Sequence, residues 1–122
     1  MPRDHARLTV WQLAAELRLE TLKLTRRATF AHDRRLQSET EETVSSICRN
    51  IPEGARRRSD REFARFLEYS YGASGELKSL FEDAQARGLL TPHDLENARR
   101  VRYRLDRALL PLIRYLRSSN RE

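Results

Sequence analysis

Apolar residues recur along this chain at the 3.6-residue spacing of an α-helix, in segments separated by short polar connectors. The first predicted helix runs from about Thr9 to Ala28. Val10, Leu13, Ala14, Leu17, Thr21 and Leu24 form one stripe along it, and Trp11, Ala15, Leu19 and Leu22 form a second. An apolar surface this wide exceeds what one neighbouring helix covers. It predicts burial against several helices or against another subunit.

The second helix is predicted to start between Asp33 and Ser38 and to end near Gly54. Leu36, Thr40, Val44, Ile47, Cys48 and Ile51 mark its buried side. Pro52 has no N–H for the carbonyl of Cys48, so a kink or an early end is expected there. Gly54 suits a left-handed C-terminal cap. Ser59-Asp60-Arg61-Glu62 then reads as a capping box, with Ser59 accepting from the Glu62 amide while Glu62 reaches back.

The third helix continues to about Arg87, with Gly88 as its stop and Phe63, Phe66, Leu67, Leu77, Leu80, Phe81 and Ala84 as its core. Small residues crowd its middle: Ser70, Gly72, Ala73, Ser74 and Gly75. Each glycine weakens a helix by about 1 kcal/mol relative to alanine. Either another backbone comes close there or the helix kinks locally. Thr91 is the N-cap of the fourth helix and Pro92 its first residue. Leu95, Ala98, Val101, Leu105, Ala108, Leu109, Leu112 and Leu116 keep the period, and Pro111 predicts a bend near the Arg107 carbonyl. Short connectors between long helices favour antiparallel neighbours. The prediction is an all-α, antiparallel up-down four-helix bundle, one domain over residues 1–122, with frayed ends at about 1–7 and 118–122.

Composition supports this class. Leu, Ala, Glu and Arg dominate, all good helix formers, and the 122 residues allow one sizeable core. The single cysteine, Cys48, excludes an internal disulfide and lies on an apolar face, as a small core residue would. No apolar run resembles a leader or reaches the ~20 residues of a membrane span, so a cytoplasmic protein without membrane contact is expected.

Catalytic patterns are missing from the sequence. There is no Glu-x-x-His pair for a di-iron bundle, no paired Cys or His spacing for zinc, and no Gly-rich phosphate loop. His5, His32 and His93 fall at the N-terminus, in a loop and at a helix start, as exposed residues do. Glu76, among small residues and leucines, reads as a partly buried carboxylate paired with an arginine. No catalytic residue, metal or cofactor is expected, and an enzyme would need an unfamiliar site built from Glu76 or a histidine.

Charge points elsewhere. The formal net charge is +6, and all but Lys23 and Lys78 of the 24 basic residues are arginine. One basic region is the second connector with the start of helix three: Arg56, Arg57, Arg58, Arg61 and Arg65. The other lies on helix four, where Arg100, Arg104 and Arg107 share a face. Such groups suit phosphate, through the planar guanidinium fork. The competing reading is a solvated face with pairs such as Glu96 to Arg100.

Val10-Trp11-Gln12, Ser46-Ile47, Asn50-Ile51 with Glu53-Gly54, Arg58-Ser59 with Glu62-Phe63, Arg65-Phe66-Leu67, and Gly75-Glu76-Leu77 leading to Gly88 carry a family resemblance over roughly Leu8 to Leu116. The chain resembles the four-helix-bundle family of 23S rRNA intervening-sequence proteins. It is more distantly similar to the accessory variability determinant of diversity-generating retroelements, a pentameric bundle that binds nucleic acid and a reverse transcriptase. The resemblance implies a homo-oligomer, a ring of five bundles. Members often carry Arg-Arg where this chain has Glu41-Glu42, Pro where Cys48 lies, and Ala where Pro52 lies.

The expectation is a non-enzymatic oligomeric scaffold that binds structured RNA or DNA, or a ribonucleoprotein, through arginine contacts to phosphate. Trp11, Leu22, Tyr69 and Tyr71 are candidate interface residues. The alternative is an interaction module for an acidic protein, with no nucleic-acid role.

Overall fold

The computed structural model describes residues 2–119, with side chains from Ala6 onward. It contains α1 (Pro2–Thr25), a 3₁₀ turn (Ala28–His32), α2 (Arg34–Ala55), α3 (Asp60–Ala86) and α4 (Pro92–Ser118). Each helix packs closely on two others: α1 and α3 both lie against α2 and α4, and among the described residues the backbones of neither diagonal pair come close. This is the square of an up-down four-helix bundle, as the connectors predict.

The first apolar stripe of α1 faces the core, and Val10, Leu13, Ala14, Leu17, Thr21 and Leu24 are all buried. Its apolar members meet Val44, Ile47 and Ile51 of α2, Phe63, Leu67, Leu77 and Phe81 of α3, and Leu95, Leu105, Leu109 and Leu116 of α4 in one cluster. The second stripe does not join them. Trp11, Ala15 and Leu19 are exposed and Leu22 is half-buried.

Several boundaries and roles differ from the sequence reading. The first helix starts at Pro2 rather than Thr9 and ends at Thr25 rather than Ala28. Its end is set from outside the helix: Gln37 Nε2 donates to the Thr25 carbonyl (2.6 Å), and the chain turns extended at Arg27. The 3₁₀ turn then drops Phe30 into the core, where it is 1% exposed. Part of the predicted fraying falls on Met1 and residues 120–122, outside the described residues.

Pro52 and Pro111 sit inside continuous helix. Gly54 is not a left-handed cap. It lies buried within α2, and Gly88 is the glycine with positive φ, +75°. At Gly88 the expected stop takes Schellman form: Leu89 N–H donates to the Ala84 carbonyl and Gly88 N–H to that of Gln85, both at 3.0 Å. Ser59 caps α3 through the Glu62 amide (3.1 Å), but the fully reciprocal box forms at α4. There Thr91 Oγ1 accepts from Asp94 N–H (3.1 Å), and Asp94 Oδ2 accepts from Thr91 N–H (2.9 Å).

α3 runs unbroken past Gly72 and Gly75. A Cβ at either position would meet nothing within 4 Å, so no backbone of this chain approaches them.

Candidate nucleic-acid interface

The second connector is built by two helix ends. Arg56 N–H closes α2 on the Pro52 carbonyl (3.2 Å), Arg57 N–H bonds that of Gly54 (3.0 Å), and Ser59 opens α3 two residues later. Arg56, Arg57 and Arg58 are therefore held on a tight turn, and all three are exposed. Ser119 Oγ donates to the buried Asp60 carboxylate (2.6 Å), which fastens the end of α4 to the same corner.

Phe66 organises this corner. Arg57 lies over its ring at 4.6 Å from the centroid and Arg65 at 5.7 Å. Tyr69 packs edge-on against it at 5.5 Å. The aromatic face holds both guanidinium groups in place. Arg57 and Arg56 also share Glu53, at 3.0 and 3.5 Å. Among the described residues, Arg58 and Arg61 have no carboxylate partner, and both are exposed.

The sequence alone assigns Phe66 to the core, not to a surface beneath Arg57 and Arg65. The fold supplies Trp11 as well as Phe66. With Arg7, Leu8, Ile51, Pro52, Ala55 and Arg56, Trp11 lines a cavity of about 490 Å³ between α1 and α2. The signal is Trp11 on a stripe too wide for the core, but the 45 residues to Arg56 hide the adjacency.

On α4 the arginines divide by direction. Arg102 points to α3, bonding Asp106 (2.8 Å) and Ser74 Oγ (3.1 Å). Arg99 donates to Gln85 (3.1 Å), and Arg117 forms a bidentate pair with Glu68. Arg100, Arg104 and Arg107 face outward together. Arg107 donates to the Tyr103 hydroxyl (3.2 Å), while Arg100 and Arg104 have no carboxylate partner among the described residues. The predicted Glu96–Arg100 pair does not form. Helical rise spaces the three by about 6 Å and about 4.5 Å along the axis. The connector group and this stripe remain two separate patches.

At the opposite end of the bundle most of the basic residues are matched, with Arg34 exposed and without a carboxylate partner among the described residues. Arg27 pairs with Asp94 (2.7 Å), Arg35 with Glu39 (3.0 Å), and Arg87 with both Asp33 and Asp83 (3.0 Å each). Glu41, one of the two acids where the resembled family often has arginine, accepts from Thr25 Oγ1 (2.5 Å) and joins α2 to the end of α1. Glu42 pairs with Arg49 (2.9 Å). Glu39, Glu42 and Glu76 line an acidic groove of about 570 Å³ between α2 and α3.

Glu76 is exposed, not the partly buried carboxylate expected from its neighbours, because its turn of α3 faces solvent. His32 and His93 are exposed, and the side chain of His5 lies outside the described residues. Among the described residues no group of three His, Cys, Asp or Glu could hold a metal ion. Cys48 is half-buried, and its thiol donates to the Ala14 carbonyl (3.2 Å). Burial pushes the thiol pKa up, partly opposed by Arg18. Of the four candidate interface residues, Trp11 and Leu22 lie on α1 and Tyr69 and Tyr71 on α3, diagonally opposite helices of the bundle. Among the described residues no helix is long and apolar enough to cross a membrane.

These features define a class: a four-helix bundle with an arginine-rich corner, a basic outer helix and an unburied apolar stripe. Residues 6–109 match the model of the 23S rRNA-intervening sequence protein family, and the chain belongs to that family. The match ends at Leu109, just before Pro111 of α4. No curated protein matches the chain.

Proposed function

We propose that this protein is a non-enzymatic, homo-oligomeric helical scaffold of the cytoplasm that binds structured RNA or DNA through arginine–phosphate contacts. The observation that carries this reading is the sorting of arginines by place. Arg27, Arg35 and Arg87 at the Asp33–Asp94 end are paired with carboxylates, whereas Arg58 and Arg61 at the connector and Arg100 and Arg104 along α4 are not. A surface kept merely soluble has no need to separate the two. Arg65 and Arg57, fixed on Phe66, present their charge with less conformational loss than free side chains would.

In an oligomer, a ring of five by family resemblance, each patch repeats. Contacts that are weak singly then add through high effective concentration. Counterion release makes such binding steeply salt-dependent. The test is a titration of nuclease-treated protein into labelled structured RNA and duplex DNA at about 50 and 200 mM salt. The expected result is binding that falls by roughly 10³-fold or more over that range if six or more phosphates are contacted. No binding at the lower salt overturns the reading and turns attention to an acidic protein partner.

A further inference from the structure

The second stripe of α1 has no partner within the chain. Leu8, Trp11 and Leu19 are 51%, 50% and 59% exposed, one or two turns apart on a single face, with the small Ala15 between them. Cavities of about 490 and 260 Å³ flank this ridge on its α2 side and share Trp11. Contiguous apolar surface of this kind marks an interaction site.

α3 carries the reverse shape. Gly72 and Gly75 are exposed, have no positive φ and would place a Cβ into open space. Each weakens the helix by about 1 kcal/mol relative to alanine, with no compensating contact inside the chain. One helical turn further on, exposed Ser79 continues the shallow strip. Charge is complementary as well as shape. Arg18 stands beside the α1 ridge, Glu76 and Glu82 beside the α3 strip, and among the described residues none of the three has an ion pair. Ridge and valley occupy opposite corners of the square, since α1 and α3 are a diagonal pair. Two complementary surfaces on opposite sides of one protomer generate head-to-tail assembly, which closes as a ring when the rotation allows.

We infer that the α1 ridge of one copy seats in the Gly72–Gly75 valley on α3 of the next copy, with Arg18 facing Glu76 and Glu82 across the joint. This rests on the homo-oligomeric reading above and names the surfaces that would build it. Tyr71, at the edge of the valley, then belongs to the joint with Trp11, which gives two interface candidates on unconnected helices a common role.

The test is light-scattering mass of the full chain over a range of concentrations, for the wild type, Leu19→Asp and Gly75→Leu. Both substitutions fall on exposed positions, and circular dichroism checks that the helices persist. Expected is a wild-type mass that is a multiple of 14.4 kDa, falling to 14.4 kDa in both variants. An assembled Gly75→Leu protein overturns the inference, even if Leu19→Asp dissociates, because α1 then seats on something other than α3. Should Gly75→Leu fail to fold, charge exchange decides. Arg18→Glu is expected to dissociate the assembly, and adding Glu76→Arg and Glu82→Arg to restore it. Failure of that restoration overturns the pairing. A wild type of 14.4 kDa at every concentration removes the oligomeric reading itself.

Discussion

Gly54 of α2 lies so close to Phe66 of α3 that a Cβ added at 54 would sit 2.5 Å from the Phe66 Cβ. Phe63 crowds the same point, with its Cδ1 at 3.0 Å and its carbonyl oxygen at 3.3 Å. The Phe66 Cβ and the Phe63 carbonyl are fixed by the α3 backbone and cannot swing aside. Gly54→Ala is expected to lower stability by about 1–3 kcal/mol, the usual cost of overpacking. Thermal unfolding followed by circular dichroism checks this. Because the same contact seats Phe66 beneath Arg57 and Arg65, the variant should also bind nucleic acid more weakly. An unchanged melting temperature would show that the helices separate freely at this point.

Arg58, Arg61 and Arg65 are the connector residues least occupied by acids, whereas Arg56 and Arg57 share Glu53. Replacing the first three by alanine should weaken binding uniformly across sequences and reduce the salt slope by about one for each phosphate no longer engaged. Arg35→Ala, at the paired end, should leave affinity within about twofold of the wild type, as a surface charge remote from the phosphates would. Equal losses in both variants would contradict a localised surface.

The α4 cap gives a pH dependence with a defined sign. Hydrogen bonding from the Thr91 backbone, helped by the Thr91 hydroxyl and Arg27, holds the Asp94 carboxyl below the usual aspartate range. A depressed folded-state pKa stabilises the protein above the unfolded value. That contribution is lost as pH falls through the folded one. Stability should therefore decline below about pH 4, and Asp94→Asn should flatten the decline. Thr91→Ala, which removes the reciprocal acceptor, should cost about 1 kcal/mol at neutral pH. Denaturant unfolding at several pH values reads both effects.

Cys48 should be a slow nucleophile. Its thiol is half-buried, donates to the Ala14 carbonyl and has its pKa raised by that burial. The thiolate is the reactive form. Reaction with an aromatic disulfide reagent at pH 7 should be many-fold slower in the native protein than in denaturant, where the protection disappears. Equal rates would place Cys48 in open solvent.

Much of this architecture is legible in the sequence because helices advertise themselves locally. The first stripe of α1, the Thr91-Pro92 start and the Gly88 stop depend on residues within a few turns, and the structure has all three where the pattern puts them. Phe30 escapes the pattern, because a 3₁₀ turn is too short to show a period. Gly54 suggests a cap because glycine suits the left-handed position that ends many helices. Its role in close packing depends on Phe63 and Phe66, which meet it only in three dimensions. The candidate surface divides in the same way. Its arginines are plain in the sequence, but their pairing is not. Glu53 stands one helical turn from Arg57, while Arg27 meets Asp94 across 67 residues. Glu41, which stands where the resembled family often has arginine, proves to be a tie between α1 and α2.

The uneven pairing of arginines leaves the α2–α3 connector with unmatched positive charge on Arg58 and Arg61. In the field of a polyanion such a molecule feels a torque before it feels a contact, so it arrives already turned to its basic corner. Cyclic symmetry preserves this. In the ring proposed above, components of this charge asymmetry across the axis would cancel and those along it would add, giving the assembly two unlike faces, one of them the more attractive to phosphate.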